Sequence, residues 1–137
     1  MKHIQKTTRI IFIRHGETVE NKKGIIHGQI DGKLTALGRK QAKLAGERLK
    51  KEKIDIIYVS DLGRTKETAK EIIKYHKHIP VVFDKRLRER SFGIFENKKK
   101  EVIVAARARV GKNYETFTPK NGESYSQLKK RVRTAYQ

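Results

Sequence analysis

The order of apolar runs along this 137-residue chain narrows the fold more than any other feature. Arg9–Arg14, Ile54–Val59 and Val81–Phe83 are short and β-branched, as buried strands are. Two helical stretches lie between them. Thr35 is a side-chain N-cap for a helix from Ala36 to about Lys51, with Leu37, Gln41, Leu44, Ala45 and Leu49 near one face. Ser60–Asp61 offers an N-cap pair for a second helix, from about Gly63 to His76, with Ala69, Ile72 and Ile73 inward. Strand–helix–strand–helix–strand predicts an α/β domain on a parallel sheet with right-handed crossovers. Leu87–Phe95 then reads as irregular, Asn97–Val110 as a helix and Gly111–Gly122 as a loop. Ser124–x–x–Gln127 is a capping box opening a last helix through Leu128, Val132 and Tyr136. With no internal repeat and no second core, residues 1–137 read as a single domain.

Charge bounds the partners. Lys and Arg number 34 against 15 acidic residues, a formal charge of +19. Such a surface attracts polyanions: nucleic acid, anionic membrane or phosphorylated metabolites. The basic residues are not interleaved with aromatics and form no nucleic-acid-binding module, so nucleic acid ranks below a small phosphorylated partner. Lys98–Lys100 and Lys129–Arg133 read as solvated helix faces. The absence of cysteine removes disulfides and thiolate metal sites and fits a reducing cytoplasm. Met1–Thr8 is polar and no apolar run reaches membrane-spanning length, so a cytoplasmic protein without membrane attachment is expected. The oligomeric state is not legible.

The first apolar run stops abruptly at Arg14–His15–Gly16. Strand ends are where α/β sheets form ligand crevices, and Gly16 lets the backbone turn there. A neutral imidazole whose other nitrogen is held as N–H by a carbonyl can attack phosphorus. Arg14 offers a fork for phosphate oxygens, and Asn21 a further hydrogen bond. An isolated histidine at a strand end is more often a structural residue satisfied by backbone groups. Here Arg64, in the first turn after the second strand, would share the same sheet edge, and two arginines with a histidine suit a dianion. A phosphoester also needs its leaving oxygen protonated. Glu89, in Arg86–Leu87–Arg88–Glu89–Arg90, is the candidate acid, with an ion pair to a flanking arginine as its alternative use. Glu17 is the runner-up.

Arg14–His15–Gly16–Glu17–Thr18 with Asn21 resembles the catalytic motif of the histidine phosphatase superfamily, of phosphoglycerate-mutase-like fold. Four further pieces agree in order. They are Gly28–Gln29–Ile30–Asp31 with Leu34–Thr35–x–x–Gly38–x–x–Gln41–Ala42; Ser60–Asp61–Leu62–x–Arg64–Thr65; Leu87–Arg88–Glu89–x–x–Phe92–Gly93–x–x–Glu96; and Asn121–Gly122–Glu123–Ser124. Leu87–Arg88–Glu89–Arg90 and Phe117–Thr118–Pro119–x–x–Gly122–Glu123 are most similar to the fructose-2,6-bisphosphatase-like branch. The resemblance implies a three-layer α/β fold with a mainly parallel sheet. It implies that His15 carries the phosphoryl group, that Arg14, Asn21 and Arg64 bind it, and that Glu89 protonates the leaving alcohol and then activates water. It implies no metal and no cofactor. His27 stands before Gly28 where the family usually has Gln; it is either a substrate contact, together with Gly28, or a loop histidine without a role. His3, His76 and His78 match no motif.

The family pattern also has a second histidine, on a strand–His–Gly motif that follows the last helix seen here. No such motif precedes Gln137, and the last helix meets no stop signal. The sequence therefore reads as the N-terminal part of a longer histidine phosphatase, C-terminally truncated. Loss of one oxyanion donor of this kind typically costs ~10²–10³ in rate. Three functional classes follow: a phosphomonoesterase, with phosphoglycerate mutase chemistry as its close alternative; a weak or inactive fragment that binds phosphorylated ligands; and, third, a nucleic-acid binder.

Overall fold

The computed structural model describes residues 7–136. His3, most of the polar N-terminal stretch, and Gln137 lie outside them. The elements are α1 (Val19–Lys22), α2 (Ala36–Leu49), β1 (Ile57–Val59), α3 (Gly63–Ile73), β2 (Val81–Phe83), α4 (Lys100–Arg109) and α5 (Tyr125–Arg133). β1 and β2 pair in parallel, Ile57 with Val81 through Val59 with Phe83, with α3 as the crossover. The α/β class and parallel sheet expected from the sequence are present.

The expected first strand differs. Arg9–Arg14 joins no ladder among the described residues, and Ile10, Ile11, Phe12 and Ile13 are all exposed, Phe12 by 75%. A strand is buried only where neighbours cover it, and β1 is paired here with β2 alone. The second strand is shorter than Ile54–Val59 for the same reason: Ile56 and Tyr58 are exposed and only Val59 is buried. His15 is therefore not delivered by a sheet edge. It is pinned by helices instead. The Gly16 N–H donates to Thr68 Oγ1 on α3 at 3.1 Å, and the Glu17 N–H to Gln41 Oε1 on α2 at 2.8 Å.

The buried face of α2 is also rotated from expectation. Gly38, Ala42, Gly46 and Leu49 are buried, whereas Leu37 and Leu44 are 51% and 54% exposed. Small residues let the backbones meet: a Cβ on Gly38 would overlap the Glu17 carbonyl oxygen, and one on Gly46 the Glu71 carbonyl oxygen of α3. Ala69 and Ile72 of α3 are buried as expected. The N-cap of α3 is Leu62 and not the Ser60–Asp61 pair. Asp61 is occupied by Arg88, which donates twice at 2.6 Å, while the Gly63 N–H is capped from the distant loop by Asp31 Oδ1 at 2.6 Å.

The segment expected to be loop from Glu17 to Asp31 contains α1, closed by a Thr18–Asn21 capping box. α4 begins at Lys100, because Asn97 takes a left-handed φ of 63° that no helix interior accepts. α3 and α5 are also shorter than expected: α3 stops at Ile73, and α5 gives way to a 3₁₀ turn over Thr134–Tyr136. Ile26, Phe95 and Ile103 form a small core, flanked by Phe92, Ala106 and Phe117, which seats α4 over the loop that carries His27. No helix of the described residues is long and apolar enough to cross a membrane.

Replacing Gly46 by Ala tests the α2–α3 approach. Helix propensity alone favours Ala by about 1 kcal/mol. Steric overlap with the Glu71 carbonyl opposes it and is expected to win by about 1–3 kcal/mol. A lower denaturant midpoint is the predicted result; a raised one would show that the helices do not meet at Gly46.

Candidate active site

One cavity of about 280 Å³ is lined by Arg14, His15, Asn21, His27, Gly28, Arg64 and Glu89 together with the inward face of α4. All seven residues nominated from the sequence meet there. Glu17 does not line it; its carboxylate accepts a hydrogen bond from the Thr35 hydroxyl at 2.7 Å, at the start of α2.

His15 is half-buried, with Nδ1 2.8 Å from the Gly16 carbonyl oxygen. A carbonyl only accepts, so Nδ1 carries the hydrogen and Nε2 keeps its lone pair when the ring is neutral. Burial pushes the His15 pKa below 6.5; the Gly16 hydrogen bond works against this, and Arg64 and Arg14 add to the lowering. The neutral, nucleophilic form therefore extends to lower pH than in a free histidine.

Arg64 is 2% exposed. Its Nη1 donates to the Ile30 carbonyl at 2.7 Å and its Nη2 to the Gly28 carbonyl at 2.9 Å. The two-nitrogen fork expected to hold phosphate is thus committed to the loop backbone. Nε is enclosed and finds no partner among the described residues. Nη1 and Nη2 each keep a second N–H, and these are the donors Arg64 can offer a ligand. Asn21 is similarly sorted: its side-chain oxygen accepts from the Thr18 N–H at 3.2 Å, leaving the amide NH₂ as the ligand-facing donor.

Glu89 is exposed, and its Oε1 accepts from the Arg90 backbone N–H at 2.7 Å. Neither flanking arginine pairs with it. Arg88 is spent on Asp61. Arg90 is 1% exposed, and its guanidinium donates to the carbonyls of Glu123, Tyr114 and Phe117 while lying 4.8 Å from the Tyr114 ring centroid. Arg90 thereby ties the Glu89 loop to the segment before α5.

Three supporting residues escaped the sequence reading. Arg90 is the first. Glu96 Oε1 accepts from the N–H groups of Gln29 at 3.1 Å and Phe92 at 2.9 Å, and so sets the loop whose Gly28 carbonyl holds Arg64. Glu20 pairs with His27 at 2.9 Å. Arg90 and Glu96 bind backbone groups, which spacing does not reveal, and Glu20 meets His27 across a loop whose path the sequence pattern does not fix. Lys100, Ile103, Val104 and Arg107 line the cavity from α4 at helical i, i+3, i+4, i+7 spacing, a signal the sequence does hold. Among the described residues no group of three or more His, Cys, Asp or Glu is placed to hold a metal ion.

Comparison with known proteins gives concordant matches. The histidine phosphatase superfamily (branch 1) matches residues 10–137. Fructose-2,6-bisphosphatase TIGAR of Bos taurus is 43% identical over 123 residues, 87% of this chain and 46% of that protein. The probable phosphoglycerate mutase GpmB of Yersinia enterocolitica is 39% identical over 131 residues, 93% of this chain and 60% of that protein. Among solved structures, Bacillus stearothermophilus YhfR superposes with TM-score 0.80 at 32% identity, covering 90% of this chain and 63% of that one. A mycobacterial glucosyl-3-phosphoglycerate phosphatase in complex with VO3 gives TM-score 0.79 at 34% identity, covering 89% and 59%. The chain spans about half the length of the curated relatives it matches.

The His15 environment makes a direct prediction. Its NMR titration midpoint is expected below 6.5, and Arg14→Gln is expected to raise it by removing a neighbouring positive charge. A midpoint at or above 6.5 would contradict the burial and charge pattern described.

Proposed function

Because the chain belongs to branch 1 of the histidine phosphatase superfamily, we propose that it is a phosphomonoesterase acting through phosphohistidine at His15 on a small phosphorylated metabolite, of sugar-phosphate type. Residues 1–137 are, in this reading, one histidine phosphatase domain. The observation that carries the proposal is the state of His15: Nδ1–H engaged by the Gly16 carbonyl, Nε2 free, in a cavity shared with Arg64 and Glu89.

The chemistry follows from those positions. The His15 Nε2 lone pair attacks phosphorus as the ester P–O bond breaks, and protonated Glu89 gives its proton to the departing alkoxide. Arg14 and the Arg64 guanidinium offset the charge on the phosphoryl oxygens, and the Asn21 amide donates a hydrogen bond to one of them. In the second half, the Glu89 carboxylate takes a proton from water, whose oxygen attacks phosphorus as the P–N bond breaks. Inorganic phosphate leaves and neutral His15 is restored. His27 and Gly28 border the same group. The names of the matched relatives, fructose-2,6-bisphosphatase and glucosyl-3-phosphoglycerate phosphatase, support a phosphorylated carbohydrate-like substrate.

A mutase must keep water from its phosphohistidine. Transfer between substrates is the alternative, and it would require that water be kept from the His15 phosphoryl group. For the domain as described, brief incubation with a radiolabelled phosphate donor is expected to leave acid-labile, alkali-stable label on His15, absent in His15→Ala. Glu89→Gln is expected to slow release of phosphate by about 10²–10⁴-fold. Acid-stable label, or label surviving His15→Ala, would overturn the proposal.

A further inference from the structure

His27 is 7% exposed yet lines the cavity that holds His15. Its Nε2 lies 2.9 Å from Glu20 Oε2 and 3.1 Å from Thr18 Oγ1. An ionised carboxylate only accepts, so Nε2 carries a hydrogen directed at Glu20. Burial pushes the Glu20 pKa up, but hydrogen bonds from its own backbone N–H and from His27 outweigh this and hold it below its ordinary value. Gly32 makes room for the pair, since a Cβ there would overlap both His27 Nε2 and the Glu20 carboxylate.

The other ring nitrogen, Nδ1, makes no hydrogen bond among the described residues. His27 lines the cavity, and Nδ1 is the ring nitrogen not engaged by Glu20 and Thr18. The His27 and His15 rings stand edge to face, with centroids 6.5 Å apart and planes at 76°. One tetrahedral oxyanion on His15 can bridge that separation.

We propose that Glu20 and His27 form a protonation-linked oxyanion donor, in which doubly protonated His27, its Nε2–H held by Glu20, donates Nδ1–H to an oxygen of the phosphoryl group at His15. The proposal rests on reading the cavity as a phosphate site and adds a pH-dependent element to it. Neutral His27 points a lone pair at the anion, which repels it. Anion binding therefore takes up a proton, and affinity falls as pH rises through the ring's titration. Glu20 on α1 favours the imidazolium, as does Glu89 across the cavity. His15, Arg14, Arg64, Arg90, Lys100 and Arg107 share the cavity and oppose it until an anion neutralises them. Glu20 acts as a positioning residue; His27 touches the ligand.

Sulfate is a suitable probe, because it stays a dianion between about pH 5.5 and 8.5 while an imidazole titrates. Calorimetric titration of the intact chain should show affinity for sulfate falling across that range. The fall should be about tenfold larger in the wild type than in His27→Gln, which keeps an amide donor but cannot titrate. Glu20→Gln should move the fall to lower pH. ¹⁵N ring spectra of the unsubstituted protein report the same event without a variant: near about pH 7, sulfate should convert His27 from one ring N–H to two. Equal pH dependence in wild type and His27→Gln, or His27 remaining singly protonated with sulfate bound, would overturn the proposal while leaving the phosphate site intact. No sulfate binding at any pH would overturn the phosphate-site reading and this proposal together.

Discussion

The clamp of Arg64 by the carbonyls of Gly28 and Ile30 is the interaction on which the rest of the site depends. A guanidinium this buried needs acceptors for its donors, and two backbone carbonyls supply them without neutralising the charge. The positive charge is therefore preserved for an anion, on a guanidinium held in place by both carbonyls. The loop carrying those carbonyls is itself held. Glu96 takes the Gln29 N–H, Ile26 exchanges backbone hydrogen bonds with Asn97 and Lys98, and Asp31 caps α3, the helix that bears Arg64. Loop and helix fix each other.

That arrangement explains why close helix packing matters to chemistry. His15 is followed by Gly16, whose N–H reaches Thr68 on α3, one turn beyond Arg64. Thr68 Oγ1 in turn donates to the Arg64 carbonyl at 2.8 Å. His15 and Arg64 are thus referenced to the same turn of α3. The glycine-lined contact of α2 with α3 and with Glu17 keeps that turn against the His15 segment.

The grouping of Arg14, His15, Asn21 and Arg64 in one cavity was legible in the sequence because they sit in local patterns with fixed geometry: Arg14, His15 and Gly16 in succession, Asn21 one capping box later, Arg64 in the first turn of α3. The supports were not. Arg90 and Arg64 are satisfied by carbonyls, which every residue possesses, so their partners leave no trace in residue type. The face of α2 was misplaced because large apolar residues dominate periodicity arguments, whereas this interface is made by Gly38, Ala42 and Gly46, where the absence of side chains is the attractive feature. Strand Arg9–Arg14 read as buried because its residues are apolar. Burial is a property of neighbours, and none of the described residues pairs with it. The +19 charge is dispersed over α2, α3, α4 and α5, and within the cavity it is the pairing of each cation, not the total, that decides what can bind.

The central claim is that the Arg64 guanidinium and His15 Nε2 converge on one oxyanion. A crystal structure of the chain with vanadate or tungstate tests it most directly. The account predicts the anion at His15 Nε2 with an oxygen within hydrogen-bonding distance of the Arg64 guanidinium, and with the Gly28 and Ile30 contacts unchanged. An anion bound elsewhere, or bound at His15 with Arg64 turned away from it, would contradict the account.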